Sequence, residues 1–165
     1  MRRTLAAILT ALALVGLTAP QADARRAART VTFQLTADAT LAPYADQVAA
    51  IWTASGTGVE VVVVADCAGA YCIHGVIEDS AYLGLTWRTD DGSHLATVSS
   101  AVGMYGSEAI LDTFAHEVGH GVIDSLGGGM WHASNERDLM SASHYPGDPL
   151  RRITRETKTY LAPLC

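Results

Sequence analysis

The sequence predicts a single α+β domain that opens strand then helix, spends its middle on further strands and closes with two helices. Two observations carry that expectation. Apolar residues switch repeatedly between alternate and helical spacing, and once the leading segment is set aside the chain holds one core's worth of residues.

The leading segment runs from Met1, Arg2 and Arg3 through an apolar stretch between Leu5 and Leu17 to Pro20 and the small residues Ala22 and Ala24. A basic start, a short apolar middle and a small-residue end mark a secretory signal peptide, residues 1–24, cut after Ala24. The apolar run is shorter than the ~20 residues a membrane-spanning helix needs. Residues 25–165 remain, 141 in number, as one domain. The chain is acidic, with 17 Asp and Glu against 11 Lys and Arg, and removing Arg2, Arg3 and Asp23 takes its formal charge from -6 to -7. Such a balance argues against nucleic acid and anionic membranes as partners. An extracellular location permits disulfides. Cys67 and Cys72 are expected to pair across a short loop, leaving Cys165 over, and the cysteine spacing matches no usual thiolate cluster for zinc.

Residues 30–35 alternate and read as a strand, while Leu41, Tyr44, Ala45, Val48, Ile51 and Trp52 recur at helical spacing over residues 41–55. The valine-rich run at residues 59–65 suits a central strand buried on both faces. Shorter strands are expected at residues 72–78, 81–87 and 94–99, with Asp90, Asp91 and Gly92 turning the last two into a hairpin. Ser107 is placed to cap a helix running to Leu126, built on Ile110, Leu111, Phe114, Ala115, Val118, Val122 and Ile123, and ended by Gly127, Gly128 and Gly129. A final helix is expected over residues 149–161, capped by Asp148 and closed off by Pro163.

Chemistry enters through His116, Glu117, Val118, Gly119 and His120, which match H-E-x-x-H inside the expected helix. Four residues advance a helix by about 400° and about 6 Å, so both imidazoles leave one face and can converge on one ion at ~2.0 Å bonds. Glu117, turned by about 100°, does not share the ligand position but can reach a water on the ion. Zinc lowers the pKa of such a water towards 7, and a carboxylate beside it takes the proton as the water attacks a polarised carbonyl. His116 and His120 are thus expected zinc ligands and Glu117 the general base of peptide hydrolysis.

A catalytic zinc wants a third protein ligand. Asp124 lies about 12 Å along the helix axis from His116, too far to close on the same ion, and reads as a solvated helix-end acid. Glu136 suits a site completed by a carboxylate, His144 is within reach along the chain, and a reversal at the three glycines can return His132. His132 and Glu136 both stay open on reach alone. His74 and His94 read as ordinary strand residues, and Trp52 and Trp131 as aromatics of the core or cleft wall.

The run from His132 through Ala133, Ser134, Asn135, Glu136, Arg137, Asp138 and Leu139 to Met140 and Ser141 resembles the metzincin family of zinc peptidases. In that family a third histidine ends a long motif and a methionine turn lies beneath the metal. In its matrixin branch the methionine falls eight residues after the third histidine, as Met140 does after His132. Size, signal peptide and the opening strand and helix are also similar to the small bacterial snapalysin type. The match covers roughly residues 107–142. Ile123 and Leu126 stand where the family has glycine and the third ligand, so six further residues precede His132, and Ala142 stands where some relatives have tyrosine, so Tyr145 inherits no role.

The resemblance implies a zincin-like (metzincin) domain: a twisted, mostly parallel sheet, a backing helix, an active-site helix and a C-terminal helix below the cleft. It implies zinc on His116, His120 and His132, with Met140 packed beneath the histidines. The activity implied is that of a secreted, monomeric endopeptidase acting on a peptide or protein paired to an edge strand. Residues 94–102 are the candidate edge, and residues 141–148 the wall on the leaving side. Two readings stand beside it: a secreted binding or toxin-like protein that keeps zinc for stability, and a zinc amidase acting on cell-wall peptides. An intact Glu117 weighs against the former, since a structural site needs no base beside an open position.

Overall fold

The computed structural model of the chain describes residues 30–143 and 148–165; the expected signal peptide, His144 and Tyr145 lie outside them. β1 (Val31–Ala37) leads into α1 (Ala42–Thr53), then β2 (Val59–Val63), β3 (Cys72–Glu78), β4 (Gly84–Arg88) and β5 (His94–Ser99). A 3-10 turn, Ser100–Tyr105, delivers the chain to α2 (Ser107–Ser125), and α3 (Arg155–Leu161) ends it. The strands form one sheet in the order β2-β1-β3-β5-β4. The pairs of β1 with β2, β1 with β3, and β3 with β5 are parallel, and among the described residues only the β4–β5 hairpin is antiparallel. The α+β class and the mostly parallel sheet are as expected.

Helices α1 and α2 share one face of this sheet. Along β1 the period of two sends Phe33 and Leu35 into the core and leaves Thr32 and Gln34 exposed. Trp52 of α1, fully buried, donates its indole N–H to the Ala115 carbonyl of α2 at 3.0 Å. α2 is buried almost all round, from Leu111 to Ile123, as befits a helix inserted between the sheet and the later loops.

Four expectations are corrected. The run at residues 59–65 is an edge strand, not a central one: among the described residues β2 pairs only with β1, and Thr53 of α1 covers its outer side by accepting from the Val61 N–H (3.0 Å) and donating to the Val61 carbonyl (3.3 Å). Its valines reflect packing under α1 rather than strands on both sides. β5, within the proposed substrate edge at residues 94–102, is interior, flanked by β3 and β4, and residues 100–105 are the 3-10 turn. Ser107 is already helical, and the N-cap position falls to Gly106, whose φ of 98° suits glycine. The last helix starts at Arg155, not Pro149, with Thr154 in place of Asp148 as its cap. Residues 151 and 152 are drawn instead into tertiary bonds: the Leu139 N–H donates to the Arg152 carbonyl at 2.9 Å, and Arg151 reaches back to α2.

The expected disulfide joins Cys67 and Cys72, pinning the turn before β3, while Cys165 is half-buried and in no disulfide among the described residues. No helix among the described residues is long and apolar enough to cross a membrane.

Candidate metal centre

The α2 helix sets His116 and His120 one turn apart on the same face, and the chain then has to bring a third ligand back to them. It does so through the glycines. Gly127 and Gly129 take φ of 85° and 64°, in the left-handed region, and the Gly128 N–H closes the helix end on the Ile123 carbonyl at 2.9 Å. The chain turns there and His132 arrives beside the two helical histidines. Ring centroids stand 4.6 Å apart for His116 and His120, 4.6 Å for His120 and His132, and 5.4 Å for His116 and His132. One ligand atom from each lies within 4.8 Å of the others, so the trio could hold a metal ion.

The loop after His132 is held by an aspartate to which no motif assigns a role. Asp138, fully buried, accepts from the Met140 N–H (2.9 Å), the Thr157 hydroxyl (2.6 Å), and the N–H (3.0 Å) and hydroxyl of Thr154. Four donors satisfy a buried carboxylate without a cation. Glu156 ties down the loop's other side, accepting from the N–H groups of Ser134 (2.7 Å) and Asn135 (3.1 Å). The Ala133 N–H closes the loop on the Met140 carbonyl at 2.8 Å. Met140 is buried beneath the histidine helix, against Gly119, where a side chain would collide with the Met140 sulfur and Trp52. The glycine within the motif is thus where methionine and tryptophan meet the helix.

The donor set fits a dication. His116 Nδ1 lies 2.6 Å from the Leu139 carbonyl, which only accepts, so Nδ1 carries the hydrogen and Nε2 is left with its lone pair. That Nε2 faces His120 Nε2 at 2.9 Å, close to the roughly 3.3 Å expected of two nitrogens sharing one tetrahedral ion. His120 Nδ1 is buried with no hydrogen-bond partner among the described residues. Burial, with His116 and His132 nearby, pushes the His120 pKa down to about 3, and partial desolvation of the otherwise exposed His132, with Arg151 nearby, lowers its pKa. Neutral imidazoles with inward lone pairs are what a metal requires.

Glu117 projects from α2 into the same cleft, a space of about 300 Å³ bounded by β4, the three histidines, Ser141, Ala142 and Arg151. Its carboxyl is pushed up to about 7 by burial, against the hydrogen bond from Thr86 and the charge of Arg151. Arg151 is itself buried, paired with Asp112 at 2.7 Å, and its Nη1 donates to the Ser141 carbonyl at 2.7 Å.

Of the sequence candidates, His116, Glu117, His120 and His132 come together. Glu136 does not: it is exposed and lines a separate cleft with residues 148–152. Asp124 sits at the far end of α2, bonded to Arg88 and His94 rather than solvated alone. His144 lies outside the described residues. Cys67, Cys72 and His74 also converge, but the two sulfurs are spent in the disulfide. Asp112 was signalled only by its four-residue step before His116, and Arg151, Asp138 and Thr86 by no motif.

Compared with protein-family models and with curated proteins, the sequence matches none. Among solved structures that match is metalloproteinase-II from Bacteroides fragilis, with 14% identity, a TM-score of 0.49, and coverage of 82% of this chain and 53% of that one. The chain therefore spans about half the length of that structure.

Proposed function

We propose that the chain is a secreted zinc-dependent endopeptidase, with His116, His120 and His132 as ligands and Glu117 as general base. The observation that carries this is the convergence of three inward-facing imidazoles beside a buried carboxylate, in one cleft along a sheet edge. Met140 packed beneath the histidines, eight residues after His132, supports the likeness to metzincins. Zinc at that position would supply Lewis-acid polarisation of the scissile carbonyl and make water acidic near pH 7. The chain's own part is to take the water's proton at the Glu117 carboxylate, hold it out of bulk solvent and pass it to the leaving amine. Residues 1–24 are the export signal in this reading and residues 25–165 the catalytic domain.

The substrate edge moves from β5 to β4. Leu83 and Thr89 bond to β5 through Leu83 O (2.8 Å from Ser99 N) and Thr89 N (2.9 Å from Ser93 O), so alternation turns the N–H and C=O of Gly84, Thr86 and Arg88 outward. An extended peptide can add there as a further strand, past Glu117 and the histidines. Ser141 and Ala142 form part of the opposite wall.

The test is zinc stoichiometry and casein cleavage for wild type, Glu117→Ala, His132→Ala and Glu136→Ala. Glu117→Ala is expected to keep one zinc and lose on the order of 10²–10⁴ in rate, as for removal of a general base. His132→Ala should lose zinc, and Glu136→Ala should change neither readout. A Glu117→Ala protein that cleaves casein as fast as wild type would overturn the mechanism; one zinc without cleavage by wild type would favour a binding protein or an amidase.

A further inference from the structure

Nothing in the H-E-x-x-H pattern says what holds the glutamate. In α2 its neighbours His116 and His120 look towards His132, whereas Glu117 is turned about a third of the helix circumference away, towards β4. Two residues of β4 meet it. Thr86, 4% exposed, places its hydroxyl 2.7 Å from Glu117 Oε2 and 2.9 Å from the Glu117 main-chain carbonyl, so its one proton is shared between two acceptors of the same residue, the carboxylate being the nearer. At Gly84 the β4 backbone runs directly over the carboxylate: a Cβ there would stand 2.7 Å from Glu117 Cγ and 2.8 Å from Cδ, and closer still to Oε1. Gly84 adopts no left-handed backbone, so the close approach to Glu117 is what excludes a side chain there.

We infer that Thr86 and Gly84 are positioning residues for the general base: Thr86 anchors the Glu117 carboxylate and Gly84 leaves the space it occupies. This rests on the peptidase reading. The two residues are also two of the three, with Arg88, whose backbone N–H and C=O face the free edge of β4, so the strand that docks the peptide is the strand that aims the base. The side chain of Thr86 leaves the face of the sheet towards Glu117, while its backbone N–H and C=O lie in the sheet plane towards the substrate edge. One rigid element thereby fixes the distance between the base and the bond to be cut, the kind of arrangement in which a misplacement of about 1 Å costs on the order of a hundredfold in rate.

The experiment uses the zinc-loaded protein and compares wild type with Thr86→Val, Thr86→Ser and Gly84→Ala. Valine matches threonine in shape and deletes only the hydroxyl. Thr86→Val is expected to lower kcat by about 10- to 100-fold with KM within twofold, zinc affinity within threefold and one zinc per chain retained. Thr86→Ser, which keeps the hydroxyl, should recover kcat to within about threefold. Gly84→Ala should lower kcat similarly while retaining zinc. Crystal structures of Thr86→Val and Gly84→Ala provide a readout independent of turnover: the Glu117 carboxylate should leave its place against β4, while His116, His120 and His132 stay put. Wild-type kcat in Thr86→Val, a serine variant no better than valine, or an unmoved carboxylate in both crystal structures would overturn the proposal. A wild type that binds zinc yet cleaves no peptide sinks the peptidase reading instead, and the crystal structures still decide whether β4 holds Glu117.

Discussion

One face of α2 carries four polar residues at four-residue steps, Asp112, His116, His120 and Asp124, and the outer two differ in kind from the inner two. Asp112 is paired with buried Arg151 at 2.7 Å. Asp124 accepts from Arg88 at 2.9 Å and meets His94 Nε2 at 2.8 Å, while His94 Nδ1 lies 3.3 Å from the Ser125 hydroxyl. Each outer acid thus has a cation or an imidazole to answer it. The inner histidines face each other and His132. His94 turns its ring nitrogens to an acid and a hydroxyl, whereas His116 and His120 turn their Nε2 atoms towards each other at 2.9 Å. The outer pairs are fixtures flanking the histidines along the helix; the inner pair is the metal site of the proposed function.

If that division is right, the largest loss of stability should follow damage at Asp112. Removing one partner of a buried ion pair costs about 3–5 kcal/mol, because the other charge stays buried unanswered. Asp112→Ala should unfold at correspondingly lower denaturant, and Asp112→Leu combined with Arg151→Met should recover much of the loss. Arg151 also grips the Ser141 carbonyl, next to Met140, so the single variant should loosen zinc as well. Denaturant melts with and without zinc check both statements. Should Asp112→Ala melt like wild type, the outer acid is no fixture.

The inner pair should respond to metal instead. A ligand that binds only the folded chain stabilises it by about 2.7 kcal/mol at a hundredfold excess over Kd, a rise of roughly 10 °C in Tm for a domain of this size. His120→Ala should abolish that zinc-dependent rise. His94→Ala should keep the rise yet start from a baseline lower by about 1–3 kcal/mol, since Asp124 and Ser125 lose a partner. Differential scanning of the two variants across a zinc titration separates them; a His94→Ala protein that no longer responds to zinc would merge the two clusters and break the comparison.

The inner residues were legible in the sequence because helix geometry is local: two histidines four apart must share a face wherever the helix sits. The opening strand and helix, β3, β5 and the course of α2 were legible for the same reason, through the period of their apolar residues. His132 was reachable only through a family likeness, since its place depends on how three glycines turn the chain. Sheet order was not legible: the valines of β2 say that the strand is buried under something, and whether that is a neighbouring strand or α1 with Thr53 on its edge is decided by tertiary packing. Asp138, Thr86 and Arg151 were silent for a related reason. Each has a decisive partner 16 to 39 positions away along the chain, and no spacing rule reaches that far.

The far acid should give the smallest effect and the most specific one. Asp124 has its pKa lowered, first by the hydrogen bond with His94, while burial works in the opposite direction and Arg88 adds to the lowering. A carboxylate whose folded pKa lies below its unfolded value near 3.9 stabilises the fold in full above that value. The contribution is lost as pH falls through the folded pKa. Asp124 is 29% exposed and Arg88 51%, so solvent screening holds the contribution to about 0.5–1 kcal/mol. Asp124→Asn should therefore be less stable than wild type by that margin at pH 7, with the gap closing below about pH 4 and narrowing with added salt. Urea melts at pH 7 and pH 3 check it. A gap of the same size at both would mean that Asp124 contributes through hydrogen bonds that asparagine cannot copy rather than through charge. The far end would then be a fixture of shape, unlike the charged pair at Asp112.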